Sequence, residues 1–195
     1  MHSVQRAMPR HPESTSLDVT NMNIEERIAH HRRMAESYRN TYLRHGVQEG
    51  QSYEAWKFAA DAVYSSPYFT GDNVNVISEV AVDPATYATM EAKAYSFTFP
   101  DWAPADFKYW PADNGFVMKT RWEGHTKDGT RMGFYSYGFV DTNDQGEITR
   151  WETHVNEEYG DFLEVAIGVR GPFLGNHAPY LEALARVLKA NGVSM

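Results

Sequence analysis

The chain contains no cysteine. That absence removes disulfides, thiolate nucleophiles and cysteine-ligated zinc together, and it leaves the redox compartment open. No apolar run reaches the roughly 20 residues that a bilayer-spanning helix needs, and the first twenty residues lack the apolar centre of a signal peptide. The cytoplasm is therefore the expected compartment. Dense Lys/Arg runs are missing too, and a net charge of −8 argues against nucleic acid or an anionic membrane as the main partner. There is no glycine-rich phosphate loop, no Ser-His-Asp set and no zinc-ligand spacing. Chemistry without cofactor or metal is the economical expectation.

What is present suits one domain with an extension. The 195 residues are 42% hydrophobic and 14% aromatic, ample for a core. Residues 1–22, with Pro9, Pro12, Ser14 and Ser16, read as a flexible arm. Asn23 and Glu26 form a capping box for a first helix carrying Ile28, Met34, Ala35, Tyr38 and Tyr42, with Gly46 as its stop. Its His30-His31 pair reads as solvated surface rather than a metal site, because adjacent helical residues diverge. Ser52 is expected to cap a second helix that carries Trp56, Ala59, Ala60 and Val63 and ends before Pro67. Asp83-Pro84 starts a third, which stops before Pro100.

Beyond Pro100 the hydrophobic period changes to two. Strands are expected at 107–110, 116–126, 132–141 and 148–156, joined by the turns Lys127-Asp128-Gly129 and Asn143–Gly146. A last helix over 179–190 aligns Leu181, Leu184 and Leu188 and is capped by Asn191-Gly192. Residues 23–160 form the expected domain and 161–195 a C-terminal extension with that helix. The expected class is α+β, helices packed in a strongly curved antiparallel sheet.

One residue breaks the pattern. On the third helix Tyr87, Met90, Ala94, Tyr95 and Phe97 share an apolar arc, and Glu91 falls inside it. A carboxyl there must be paired, hydrogen-bonded or held protonated. It is either a general acid or a structural group bonded to a tyrosine or an arginine.

Four short stretches carry a resemblance: Trp56–Pro67, Phe99-Pro-Asp-Trp102, Glu123-Gly-His125 and Gly146-Glu-Ile148. In order and spacing they resemble the nuclear transport factor 2-like (NTF2-like) superfamily, also called SnoaL-like, with the second and third most similar to the phenazine-biosynthesis A and B proteins. The resemblance implies a cone-shaped fold and a dimer through the convex sheet face, with Lys119, Arg121, Glu152 and His154 as candidate interface residues. It also implies that Trp151, Thr153, Val155, Met118, Thr120 and Trp122 look inward. On the strand at 132–141 it leaves two faces open, and Tyr135 and Tyr137 are expected inward in place of Phe134 and Ser136.

Departures from the family matter equally. Where ketosteroid isomerases carry an aspartate base, this chain has Ser66. Where the phenazine proteins carry an acid-base histidine, it has Glu91, and their nearby serine is Tyr95. The implied site therefore uses Glu91 as general acid, Tyr137 or His125 as proton acceptor, and Tyr42, Trp56, Tyr64, Tyr95, Met118, Trp122 and Trp151 as an aromatic wall. For His125 a solvated turn is the competing reading; for Trp56 and Tyr42 it is plain core.

The sharpest expected function is a cofactor-independent lyase that resembles the diarylpropane γ-formaldehyde lyases of lignin-dimer breakdown. A phenazine- or polyketide-type cyclising, condensing, dehydratase or isomerase enzyme is the first alternative. A non-catalytic ligand-binding or assembly module is the second. The partners expected are an aromatic small molecule and a second copy of the chain.

Overall fold

Asn23 and Glu26 do exchange the two hydrogen bonds of a capping box: Glu26 N donates to Asn23 Oδ1 at 3.0 Å and Asn23 N to Glu26 Oε2 at 2.8 Å. The helix they start, α1, runs Ile24–Leu43. The computed structural model to which it belongs describes residues 22–43, 55–80 and 82–193. Gly46, Ser52 and the arm before Met22 lie outside the described residues.

The segment expected as a second helix is a strand, β1, Phe58–Ser65. It pairs in parallel with β6 (Ile148–Val155), with Tyr64 beside Trp151. Helix-favouring alanines are overridden here by what the sheet supplies, a ladder for the backbone and apolar neighbours for Ala62 and Tyr64. A two-residue strand, β2 (Asn75–Val76), covers the outer edge. The other strands are β3 (Ala103–Ala112), β4 (Gly115–His125) and β5 (Arg131–Thr142), and the order across the sheet is β2-β1-β6-β5-β4-β3. The meander from β3 to β6 is antiparallel, as expected. The β1–β6 pair makes the whole sheet mixed.

Register assigns the faces. Directly opposed residues share a side of a sheet, so Trp122 with Phe134 and Thr120 with Ser136 lie on one face, and Arg121 with Tyr135 and Lys119 with Tyr137 on the other. The Thr126–Thr130 turn, closed by Thr126 N to Thr130 O at 3.0 Å, sets this parity. Tyr135 and Tyr137 therefore face outward, against expectation, and Lys119 Nζ sits 4.7 Å from the Tyr135 ring centre.

Helix α2, Pro84–Thr98, begins where Asp83 Oδ1 accepts from Ala85 N and Thr86 N. Helix α3, Glu158–Ile167, was not expected, although Tyr159, Phe162, Leu163, Ala166 and Ile167 repeat at helical spacing and are all buried. Gly168, at φ 76°, ends it. Helix α4, Ala178–Ala190, buries Tyr180, Ala183, Leu184 and Leu188. Helices α1 and α3 pack on the sheet, while α2 packs against α3 and α4.

The histidine pair is structural rather than solvated. His31 is fully buried; its Nδ1 meets Ala112 O at 2.6 Å and its Nε2 meets the Thr142 hydroxyl at 2.8 Å. One imidazole thus ties α1 to the ends of β3 and β5.

Candidate active site

A four-residue spacing along α2 stacks Tyr87, Glu91 and Tyr95 in one column. The Asp83 cap fixes where that column begins. Opposite stands Tyr180 of α4, whose ring stacks on Tyr87 at 5.8 Å between centroids and 25° between planes. Its hydroxyl donates to Glu91 Oε1. The Tyr95 and Tyr180 hydroxyls share a further hydrogen bond, and Tyr159 of α3 lies 3.4 Å from Tyr95. Three phenols from three helices thus gather on one carboxyl.

This cluster forms part of the wall of a cavity of about 540 Å³. The sheet supplies the opposite wall through Tyr64, Trp122, Phe134, Ser136, Trp151 and Thr153. Trp122 and Trp102 stack 4.8 Å apart and nearly parallel, and Tyr42 meets Trp122 edge-on at 4.8 Å. Trp122 Nε1 donates to Ser136 Oγ at 2.8 Å, so a buried polar pair holds this ring. The segment around β2 also lines the cavity, through Val74, Val80 and Val82.

Burial sets the acid-base character. Glu91 is half-buried, and it opens onto the cavity whose wall it forms. Loss of hydration pushes its pKa from 4.5 up to about 7, while hydrogen bonds from Tyr180 and Tyr95 pull the other way. Burial also holds the hydroxyls of Tyr87, Tyr95, Tyr159 and Tyr180 well above their usual 10, helped by the Glu91 charge, and Tyr64 rises to about 12. At neutral pH these phenols are donors that keep their protons. Glu91 is the group in this cluster that changes charge near pH 7.

Of the residues expected at the site, Glu91, Tyr42, Tyr64, Tyr95, Trp122 and Trp151 line the cavity. Trp56 and Met118 do not. Trp56 is buried behind the wall, 5.1 Å from Trp151 and 5.8 Å from Tyr38, with Nε1 donating to Met34 O. Met118 is buried under Gly138, where an added Cβ would stand 2.8 Å from its methyl. Tyr137 is on the outer face. His125 sits exposed at a turn, its N and Nδ1 bonded to Asp101 at 2.7 and 2.8 Å. The stretches Phe99–Trp102 and Glu123–His125 meet in this clasp; Trp102 lines the cavity, and Asp101 and His125 stay outside it.

Sequence reasoning missed the wall residues Tyr87, as a site group, Tyr159 and His177, and missed Tyr180, which is buried behind the wall and bonded to Glu91. Tyr87 stood in the apolar arc, but Tyr159 and Tyr180 lie in helices, and His177 just before one, whose placement against α2 has no local signature. His177 precedes α4, and burial lowers its pKa below 6.5, opposed by a hydrogen bond to the Phe69 backbone. Its Nε2 and Trp102 Nε1 are buried with no hydrogen-bond partner among the described residues. No group of three His, Asp or Glu that could hold a metal ion occurs among the described residues, and no described helix is long and apolar enough to cross a membrane.

Among the described residues six strands bend over the helices with a cavity between them, and the fold is α+β. No protein-family model and no curated protein matches the chain. Among solved structures it is similar to a phenazine biosynthesis-related protein from Pseudomonas aeruginosa, at 17% identity over 73% of this chain and 88% of that one, TM-score 0.42. A candidate isomerase from Bacillus subtilis is similar at 17% identity over 75% and 96%, TM-score 0.47. A candidate SnoaL-like polyketide cyclase from Jannaschia is similar at 9% over 71% and 92%, TM-score 0.45. Likenesses this distant say nothing about activity.

Proposed function

We propose that the cavity is the active site of a small-molecule enzyme that moves protons without a cofactor, on a hydroxylated aromatic substrate. The observation that carries this reading is the Glu91 carboxyl, which lines an aromatic cavity and accepts a hydrogen bond from the Tyr180 phenol; burial pushes its pKa up to about 7. A group half-protonated at working pH both donates and accepts protons readily. Aromatic walls give the substrate's rings broad contact area, and a volume of about 540 Å³ suits a ligand of drug-like size. Isomerisation, dehydration, cyclisation and carbon–carbon elimination all need this chemistry.

The finer reading is release of formaldehyde from a para-hydroxyphenyl diaryl diol. With the substrate's phenol deprotonated, Glu91 protonates the benzylic hydroxyl, which leaves as water and gives a quinone methide. Glu91 carboxylate then takes the proton of the terminal hydroxymethyl group. Formaldehyde departs as the C–C bond breaks, its electrons restore the aromatic ring, and the phenolate regains its proton. The products are a stilbene, water and formaldehyde.

The test is incubation of wild-type protein and Glu91→Gln with a panel of diaryl diols, assaying formaldehyde and stilbene together. Turnover in the wild type that is lost in the variant is the expected result. An isomer or cyclised product without formaldehyde would move the reading to the isomerase or cyclase class. Equal turnover by both proteins would remove Glu91 from the mechanism.

A further inference from the structure

Glu91 can give a proton to a leaving group, but the same step requires a second group to take one from the substrate, and the carboxyl cannot do both at once. The residues expected to do so, Tyr137 and His125, are outside the cavity. The phenols beside Glu91 are poor bases, because burial disfavours their ionised form. Two groups remain on the cavity wall, the exposed Glu79 carboxylate and the His177 imidazole at the start of α4, and the imidazole is the one beside Tyr180 and its phenol cluster.

His177 has three features of a base waiting for a partner. It lines the cavity. It stands one helical turn before Tyr180, whose N–H bonds to the His177 carbonyl at 3.1 Å, so the two side chains sit on neighbouring positions of one face. The Phe69 ring joins them, 5.4 Å from the imidazole and 5.3 Å from the Tyr180 ring. Finally, Nε2 has no hydrogen-bond partner among the described residues. Since the ring also interacts with the Phe69 backbone, the nitrogen held there is Nδ1. Placing the imidazole proton on Nδ1, toward that backbone, leaves the lone pair on Nε2.

We propose that His177 Nε2 is the second proton-transfer group of this cavity, accepting the proton of a phenolic substrate hydroxyl while Glu91 donates its own. The inference rests on the reading of the cavity as an acid-base site. In the step, the substrate O–H bond breaks and an Nε2–H bond forms, and the Glu91 O–H bond breaks as the departing hydroxyl becomes water. The enzyme passes from neutral imidazole and carboxylic acid to imidazolium and carboxylate. Glu91 carboxylate recovers its proton from the hydroxymethyl group and the imidazolium returns its own to the product phenolate, which resets the enzyme with no oxidant or reductant. A buried lone pair without a partner forfeits a hydrogen bond, and a substrate hydroxyl supplies it.

The test uses 4-hydroxybenzyl alcohol and its ether, 4-methoxybenzyl alcohol, as probes, since the ether has no phenolic proton to give. In the full-length wild type, nitrogen-15 spectra of the histidines should show the His177 Nε2 resonance moving on addition of the phenol and standing still with the ether. The phenol should bind roughly tenfold more tightly, the worth of one well-placed hydrogen bond. His177→Phe should erase that preference. His177→Gln, which keeps an acceptor near the Nε2 position without its basicity, should retain the preference while turnover of the diaryl diols falls at least a hundredfold, a general-base loss.

Binding that perturbs Glu91 but leaves the Nε2 resonance in place would overturn the His177 assignment alone. So would full turnover in His177→Gln. Failure of both probes to bind the wild type would overturn this assignment and the phenolic reading of the cavity together. Because the spectra are recorded on unmodified protein, a variant that misfolds does not decide the matter.

Discussion

Tyr180 donates its phenolic proton to Glu91 across 89 positions of sequence. The bond joins the last helix to the residue that breaks the apolar arc of α2, and it stabilises the ionised carboxyl against the burial that disfavours it. Removing the donor should therefore raise the Glu91 pKa further. Tyr180→Phe keeps the ring that stacks on Tyr87, so the expected change is electrostatic, an increase of roughly one to two pH units for a hydrogen bond to a charged group. Carbon-13 titration of the glutamate carboxyls reads it directly. An unmoved Glu91 signal would mean that the phenol is a neighbour rather than a donor.

Burial of Glu91 also makes stability depend on pH, with a definite sign. The folded pKa, about 7, lies above the 4.5 of the free group, so the folded chain holds the proton more tightly. The cost of burying the charge is absent below pH 4.5, grows between 4.5 and 7, and is fully present above 7, reaching about 3 kcal/mol. Glu91→Gln has no charge to bury. Urea unfolding at pH 5 and pH 8 should show the variant gaining on the wild type by that order at the higher pH. Parallel pH profiles would contradict the raised pKa.

Much of this arrangement could be read before any coordinates. The caps Asn23–Glu26 and Asp83-Pro84 are local, and local chemistry announces itself in sequence; so does the change of hydrophobic period after Pro100. Glu91 stood out because a charge among Tyr87, Met90 and Ala94 is costly. What could not be read depended on partners distant in the chain. Phe58–Ser65 looks helical until β6 offers it a ladder, and Tyr180 looks like ordinary core until α4 is laid against α2. The face of β5 turned on the parity of one hairpin, where a single residue reverses every side chain.

That parity has its own consequence. Tyr137 lies on the outer face under Lys119, whose Nζ is 5.6 Å from its ring centre, and His125 is bound to Asp101 at an exposed turn. Tyr137→Phe and His125→Ala should leave turnover within about twofold of wild type, the usual outcome for surface changes away from the chemistry. A loss of a hundredfold in either, with the fold intact by circular dichroism, would bring the outer face back into the mechanism.

His31 imposes the opposite pH dependence to Glu91. Burial lowers its pKa below 6.5, and the nearby His30 and Arg27 charges act in the same direction, partly opposed by the Ala112 carbonyl and Asp113. The unfolded chain therefore binds the proton more readily, and stability contributed by the neutral imidazole is present above pH 6.5 and lost as pH falls below it. His31→Ala should cost about 3 kcal/mol at neutral pH, from the cavity it leaves and from the unpaired Ala112 carbonyl and Thr142 hydroxyl. Its unfolding should lose the acid-side slope, a comparison made by urea titration at pH 5 and 7.

Gly124 packs against the turn at Phe99–Trp102, and its hydrogen side chain is a packing requirement. A Cβ there would stand 2.8 Å from Phe99 Cβ and 3.1 Å from Trp102 Cα, closer than such atoms approach. Neither neighbour is a movable side-chain tip, so the end of β4 must retreat from the turn. Trp102 would then lose its place on Trp122, where the rings are only 9° from parallel, and the cavity wall would loosen with it. Gly124→Ala should destabilise the protein by about 2 kcal/mol, as overpacking does, and should alter the near-ultraviolet dichroism of the tryptophans. Asp101→Ala breaks only the exposed clasp to His125 and should leave that spectrum intact. If both variants behave alike, contact at Gly124 is not what holds the stacked indoles in the wall.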